Sequence, residues 1–312
     1  MKKSLLAATV AATLVLSTAG VFASPVEFDG TASYRYRADT NDVSSDEKGS
    51  IFKLTLGAKT NVAENLDAYA RLGIMHLTNE AVGKDFIGSG KTSEGIIDQF
   101  GFNYSNAGFN YKIGRQSATI GGTALLYNNN YYVGRHSMVD GINITGKTGV
   151  TSIDFIAAEE DNASDNRLYG LRASYSPAKD WVVGATLAKY AKESAADTNH
   201  WAVDASYTAG KATYFGEYTK SNASTNNSAY DLGISYAFDD KNSAYVIAYK
   251  VEANGDMGAM TDFENNGKGF YYGFDHKFDK ATTGSLFFRQ RSVVDGDADD
   301  NTSFRATVTY KF

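Results

Sequence analysis

The 312-residue chain has no cysteine, two prolines and a net charge of −6. The lack of cysteine excludes a disulfide framework, a thiolate metal centre and a cysteine nucleophile. The acidic balance, which reaches −8 once Lys2 and Lys3 are set aside with the leader, argues against a nucleic-acid partner.

The chain opens with Lys2 and Lys3, an apolar run from Leu5 to Leu16, and the small-x-Ala pattern Val21-Phe22-Ala23. That order reads as a signal peptide over 1–23, cut to leave Ser24 first and 24–312 as the working domain. The run is too short for a membrane helix, and no later segment is apolar for long enough to be one.

From Val26 onward the period is two. Val26, Phe28, Ala32, Tyr34, Tyr36 and Ala38 share one phase, and Glu27, Asp29, Thr31, Ser33, Arg35 and Arg37 the other. Such alternation predicts a strand with one apolar and one polar face. The apolar phase continues through Phe52–Ala58, Leu66–Ile74, Phe100–Tyr104, Phe109–Ile113, Ile142–Ile144, Ile153–Ala157, Tyr169–Tyr175 and Trp181–Leu187. It then runs through Trp201–Tyr207, Ala212–Tyr218, Tyr230–Tyr236, Tyr245/Ile247/Tyr249, Phe270–Phe274, Leu286/Phe288 and Phe304–Phe312. Sixteen segments result, the weakest near Ile142 and Leu286, and helical periodicity is absent. Short links such as "SNAG", "KTG", "TAG" and "DDKN" alternate with long polar ones at 39–49, 79–94, 117–137, 159–166, 191–199, 221–227, 252–266 and 292–300. A meander that turns tightly at one end and loosely at the other predicts an all-β, up-and-down antiparallel barrel. Both prolines, Pro25 and Pro177, fall outside the strands, as closure requires.

An alternating sheet also suits a soluble sandwich. Three features favour a barrel in lipid: aromatics gather at strand ends, the polar phase carries more charge than a soluble core tolerates, and the whole chain is one meander. The apolar phase then faces lipid and the polar phase lines a lumen.

The last strand, with Phe304, Ala306, Val308, Tyr310 and Phe312 in one phase, resembles the terminal signature of Gram-negative outer-membrane barrels. Sixteen strands, alternating loops and the long interruption between "YKIGRQ" and "VDGINITGK" resemble the general diffusion porins over essentially 26–312. The resemblance implies an outer-membrane location, a homotrimer, closure of the last strand on the first, and reading of Tyr310 and Phe312 by the barrel-assembly machinery. It also implies an inward third loop facing a basic wall. Residues 117–137 are too apolar, at "ALLY" and "YYV", for a freely solvated loop, and Tyr127, Asn129, Tyr131, Tyr132, Arg135, His136 and the nearby Asp140 are the expected constriction residues. The expected basic wall is Arg35, Arg37, Lys53, Arg71, Arg289, Arg291 and Arg305, on strands that become neighbours only on closure. One departure from the porin pattern is that 117–137 contains no acid; the acids crowd other loops instead.

The expected function is passive diffusion of small hydrophilic solutes and ions with a weak anion preference, without cofactor or metal. A barrel enzyme of lipase or protease type and a solute-specific channel are the alternatives. His76, His136, His200 and His276 sit in no catalytic motif. Asp295, Asp297 and Asp299 have the alternate spacing of a calcium loop but lack its glycine and glutamate, and so read as an acidic surface loop.

Overall fold

A computed structural model describes residues 24–83, 87, 90–131, 133–134, 138–161 and 165–312. The expected leader over 1–23 lies outside them, as do Tyr132, Arg135 and His136. The barrel strands are β1 (Glu27–Asn41), β2 (Glu47–Ala63), β3 (Leu66–Leu77), β4 (Ser93–Asn106), β5 (Phe109–Gln116), β6 (Val139–Thr148), β7 (Thr151–Glu160) and β8 (Arg167–Tyr175). They continue as β9 (Trp181–Ala191), β10 (Thr198–Ala209), β11 (Ala212–Ser221), β12 (Ser228–Ala237), β13 (Asn242–Val251), β14 (Gly267–Lys277), β15 (Thr282–Val293) and β16 (Asn301–Lys311). Each pairs antiparallel with its sequence neighbour, and β1 pairs with both β2 and β16, so the sheet closes.

Alternation becomes two concentric surfaces. One register row runs Ala38, Phe304, Phe288, Tyr272, Val246, Ile234, Tyr214, Tyr207, Trp181 across nine strands. Phe304, Tyr214 and Trp181 in that row are 42, 48 and 42% exposed. The opposite phase holds Ser33, Asp39, Thr186, Thr219 and Arg289, all buried. Apolar outside and polar inside inverts a soluble domain. In water that outer face would be unfavourable; in hydrocarbon each large side chain contributes about 1.5–3 kcal/mol. The tight turns suit their lengths: between β4 and β5, Ala107 (φ 49°) and Gly108 (φ 82°) form a two-residue link with both central φ values positive.

The sequence-based expectation needs three corrections. The link between β1 and β2 is 42–46, not 39–49, because Asp39 still pairs with Glu47; the ladder outlasts the apolar alternation. In β13 the phase is reversed. Ala244, Val246 and Ala248 continue the outer rows, while Tyr245, Ile247 and Tyr249 face inward. The third concerns β4. A register shift opposite Arg71/Leu72 inserts Asp98, which the sequence alternation would aim at lipid together with Phe100. The bulge turns it inward, where it is fully buried and takes both Nε and Nη2 of Arg71 at 2.8 Å.

Phe312 completes the seam. Its carbonyl accepts from Gly30 N at 2.8 Å and its N–H donates to Gly30 O at 3.1 Å, extending the β1–β16 ladder. Its ring lies over Gly30, where a Cβ would collide with it. Phe312→Asp is expected to lower the folded yield by removing this outward aromatic, and Gly30→Leu to destabilise the closed form by about 1–3 kcal/mol through overpacking. Heat-modifiable migration in detergent gels and urea titration of the refolded barrel measure the two effects; unchanged values in both mean the seam does not depend on this contact.

Candidate channel lumen

The polar phase encloses a cavity of about 1610 Å³. Its lining reaches from Ser44 and Asp299 at the long-loop end to Thr309 and Val182 at the turn end. All seven residues of the expected basic wall line it. Closure brings them together: Arg37 is opposite Arg305, and Arg305 is opposite Phe287.

The seven differ in how they are matched. Arg71 is held by Asp98, Arg37 by Asp39 at 2.5 Å, and Arg289 by Glu264. Arg291 donates to the carbonyl of Asp299 at 2.8 Å. Arg35, Lys53 and Arg305 have no carboxylate ion pair among the described residues. Arg35 Nε donates to Thr307 Oγ1 at 3.1 Å, and Arg305 Nε to Ser303 Oγ at 3.3 Å. With Arg291, which meets only a main-chain carbonyl, four of the seven wall cations lack a carboxylate counterion among the described residues.

The segment between β5 and β6 carries a small hairpin in which Thr119 pairs with Asn128 and Ile120 with Tyr127. It touches opposite walls. At its tip Thr123 donates through N and Oγ1 to Glu217 Oε2, at 2.7 and 2.8 Å, and Oγ1 also meets Asp231. Gly121 and Gly122 press so closely on Glu217 and Asp204 that neither position has room for a Cβ. On the other side the Tyr131 ring lies between Arg35, 4.1 Å from its centroid, and Lys53, at 4.0 Å; Lys53 Nζ also donates to Tyr131 O at 3.1 Å. Farther along, Gly134 N donates to Asp98 at 3.3 Å. The hairpin has no acid of its own, and the acids that its tip meets stand on β10, β11 and β12.

Of the expected constriction residues, Tyr131 lines the cavity, together with Gly122, Thr123 and Asn130. Tyr127 and Asn129 do not. The hairpin turns Tyr127 into an apolar cluster, with its hydroxyl donating to Glu160 at 3.0 Å, and Asn129 is fully buried with Oδ1 accepting from Ala118 N at 2.6 Å. Asp140 is also displaced from the lumen. It pairs with Arg115 at 2.6 Å, in register opposite it, in the phase that carries Ile113 and Ile142 outward. Tyr310 and Phe312 stack on the outer face, with ring centroids 6.0 Å apart.

A second inward segment escaped the sequence reading. Residues 252–266 cover the hairpin: Met257 N donates to Leu126 O at 2.9 Å, Asn128 N to Met260 O at 2.7 Å, and Thr261 Oγ1 to Ala124 O at 2.9 Å. Met257 joins Leu126 and Tyr127 in one cluster, and Phe263 joins Leu125, Tyr249 and Tyr271 in another. The signal lay in "DMGAMTDF", whose methionines and phenylalanine are out of place in a solvated loop.

His76 bonds Ser93 at 2.7 Å, His200 bonds Thr198 at 3.0 Å and His276 bonds Asn242 at 2.8 Å; no carboxylate bonds any of the three among the described residues. No cluster suited to a metal ion occurs among the described residues. In the acidic loop Asp299 accepts from Val43 N at 2.9 Å and Ser44 N at 3.1 Å, tying that loop to 42–46.

Asp256 sits inside the second segment, 5% exposed, accepting from Ala259 N at 3.2 Å and Asn265 Nδ2 at 2.9 Å. Burial pushes its carboxyl up to about 6. A raised carboxyl stabilises the docked segment in its neutral form, so that contribution is complete below the ordinary value near 4 and is lost as pH rises through about 6. Limited proteolysis within 252–266 is expected to quicken between pH 5 and pH 8, and Asp256→Asn to abolish the difference; a pH-independent rate in the parent refutes this.

No protein-family profile matches the chain, and no curated protein matches it in sequence. Its likeness is to solved structures. A loop-deletion form of OmpT, an outer membrane protein of Vibrio cholerae, superposes with a TM-score of 0.61 at 14% identity, over 93% of this chain and 100% of that one. A multiply substituted Rhodopseudomonas blastica porin gives 0.61 at 13% identity, over 92% and 100%. The trimer form of the Vibrio protein gives 0.59 at 15% identity, over 93% and 100%. At these identities what is shared is the fold: a closed, sixteen-stranded antiparallel barrel of the porin type.

Proposed function

We propose that the chain is an outer-membrane porin, exported with cleavage after Ala23, assembled as a homotrimer, and passing small hydrophilic solutes and ions by diffusion. The observation that carries this reading is the polar-walled cavity reaching both ends of a cylinder whose outer face is apolar. A water-filled bore inside a lipid-facing wall is what passive permeation requires. The porin-type fold and the trimer form of a structural neighbour support the assembly. The contacts of His76, His200 and His276 supply no carboxylate-oriented base, and we read the barrel as a channel rather than an enzyme.

On this reading the hairpin between β5 and β6 sets the narrowest section, because it meets β11 at one end and β1 and β2 at the other. Replacing residues 123–133 by a short Gly/Ser link is expected to raise single-channel conductance in KCl, since the bridging residues leave the cross-section. Unchanged conductance in a folded barrel refutes the constriction.

The four cations without a carboxylate partner, Arg35, Lys53, Arg291 and Arg305, give the bore a weak anion preference. A charge 4 Å from a passing ion is worth about 1 kcal/mol in water and more against a protein wall. Screening beyond about 8 Å at physiological salt limits what the acidic outer loops contribute. Arg35→Ala, Lys53→Ala and Arg305→Ala should each shift the reversal potential across a KCl gradient toward cation selectivity, and the shifts should shrink as salt rises. Arg289→Ala should shift it less, because Glu264 already matches that charge. Cation selectivity in the parent, or a flat series, overturns the basic wall.

A further inference from the structure

The lumen wall is not uniformly polar. One register row runs Arg37, Arg305, Phe287, Gly273, Tyr245 from β1 round to β13. The Tyr245 ring lies against Gly273, occupying the space a Cβ would take, and Phe287 is in register beside that glycine. Tyr245 and Phe287 both line the cavity and remain partly exposed to it. Arg305 holds its guanidinium over Phe287, 4.8 Å from the ring centroid. The aromatic platform on Gly273 and the cation over Phe287 are therefore separated by about one strand spacing, roughly 5 Å.

The polar end of this arrangement is unsatisfied. Arg305 and Arg35 each use only Nε in hydrogen bonds to protein among the described residues, so their terminal nitrogens lack a protein acceptor. The two are diagonal neighbours across the seam, since Arg37 faces Arg305 and Arg35 faces Thr307. Asp275 shares the row of Arg35, but it lies three strands away, about 14 Å along the sheet. It also accepts from Ser285 Oγ at 2.5 Å. An apolar plane beside the Arg305 guanidinium, with Arg35 next across the seam, matches a ligand with a flat ring at one end and an anion at the other.

We infer that the lumen carries a binding site for small aromatic carboxylates, with the ring on the Tyr245–Phe287 platform and the carboxylate on Arg305 and Arg35. The inference rests on the channel reading for its access route and adds a solute class to it. A saturable site turns featureless diffusion into facilitated passage at low concentration and into current block at high concentration.

Refolded barrel in detergent is dialysed against benzoate, acetate and benzyl alcohol, and the same protein is recorded in KCl in a planar bilayer. Benzoate should be retained saturably and at least about fivefold more tightly than acetate or benzyl alcohol. Phe287→Ala and Tyr245→Ala should each weaken benzoate by about fivefold while leaving acetate unmoved, whereas Arg305→Gln should weaken both anions. Equal retention of benzoate and acetate, or equal retention of benzoate and benzyl alcohol, overturns the site. That comparison needs only the parent protein, so it stands even where a variant fails to fold. A barrel that binds benzoate selectively but passes no KCl current overturns the channel reading and keeps the site; one that conducts without distinguishing benzoate from acetate does the reverse.

Discussion

Everything in this molecule depends on the hydrogen-bonded seam between β1 and β16. Lipid offers no partner to a backbone N–H or C=O, and an unpaired group there costs several kcal/mol. A sixteen-stranded sheet with an open seam would leave two such edges. Pairing from Asn41↔Asn301 to Thr31↔Lys311, prolonged by the two hydrogen bonds exchanged between Gly30 and Phe312, removes both. The same seam creates the electrostatics of the lumen. Arg35 and Arg37 are more than 260 residues from Arg305 in the chain, and closure alone makes them neighbours.

Closure also generates an inside that a soluble protein would not maintain. The inner face cannot be packed with hydrocarbon, because alternate residues are committed to polar side chains by the need for a wet bore. The chain resolves this by sending two insertions inward. Three small apolar clusters form where they meet the wall: one around Leu126, Tyr127 and Met257, one around Val133, Met75 and Leu77, and one around Leu125, Phe263 and Tyr271. Between them the charges are met locally, Asp98 by Arg71, Glu217 by Thr123, Asp39 by Arg37. Of the basic wall, Arg35, Lys53, Arg291 and Arg305 stay without a carboxylate counterion among the described residues.

The architecture was legible in the sequence because a two-sided wall writes its period directly into the residues. Strand order, the alternation of tight and long links and the outer rows follow from that period alone. It misleads where a residue's environment is set by something other than the wall. Tyr245, Ile247 and Tyr249 look like a lipid face because they are apolar; their partners Phe263 and Leu125 arrive from loops that pattern reading leaves blank. Asp98 sits in an apolar phase because a bulge, invisible to period-two counting, is what turns it inward. Tyr127, Asn129 and Asp140 share a composition that suits a bore, yet hairpin register and strand phase assign them elsewhere. The basic residues were readable as a group. Which of them carry a partner was not, since Glu264 comes from a distant insertion and Asp98 from the bulge.

The hairpin between β5 and β6 is fastened at both of its extremities, by Thr123 on Glu217 and Asp231 and by Tyr131 between Arg35 and Lys53. Mechanically it is a strut across a hollow tube. A thin cylinder under uneven side pressure fails first by flattening into an ellipse, and a brace across the diameter opposes that mode directly. On the proposed channel reading the same segment keeps the bore round, which insulates its area from the lateral stresses of the surrounding bilayer.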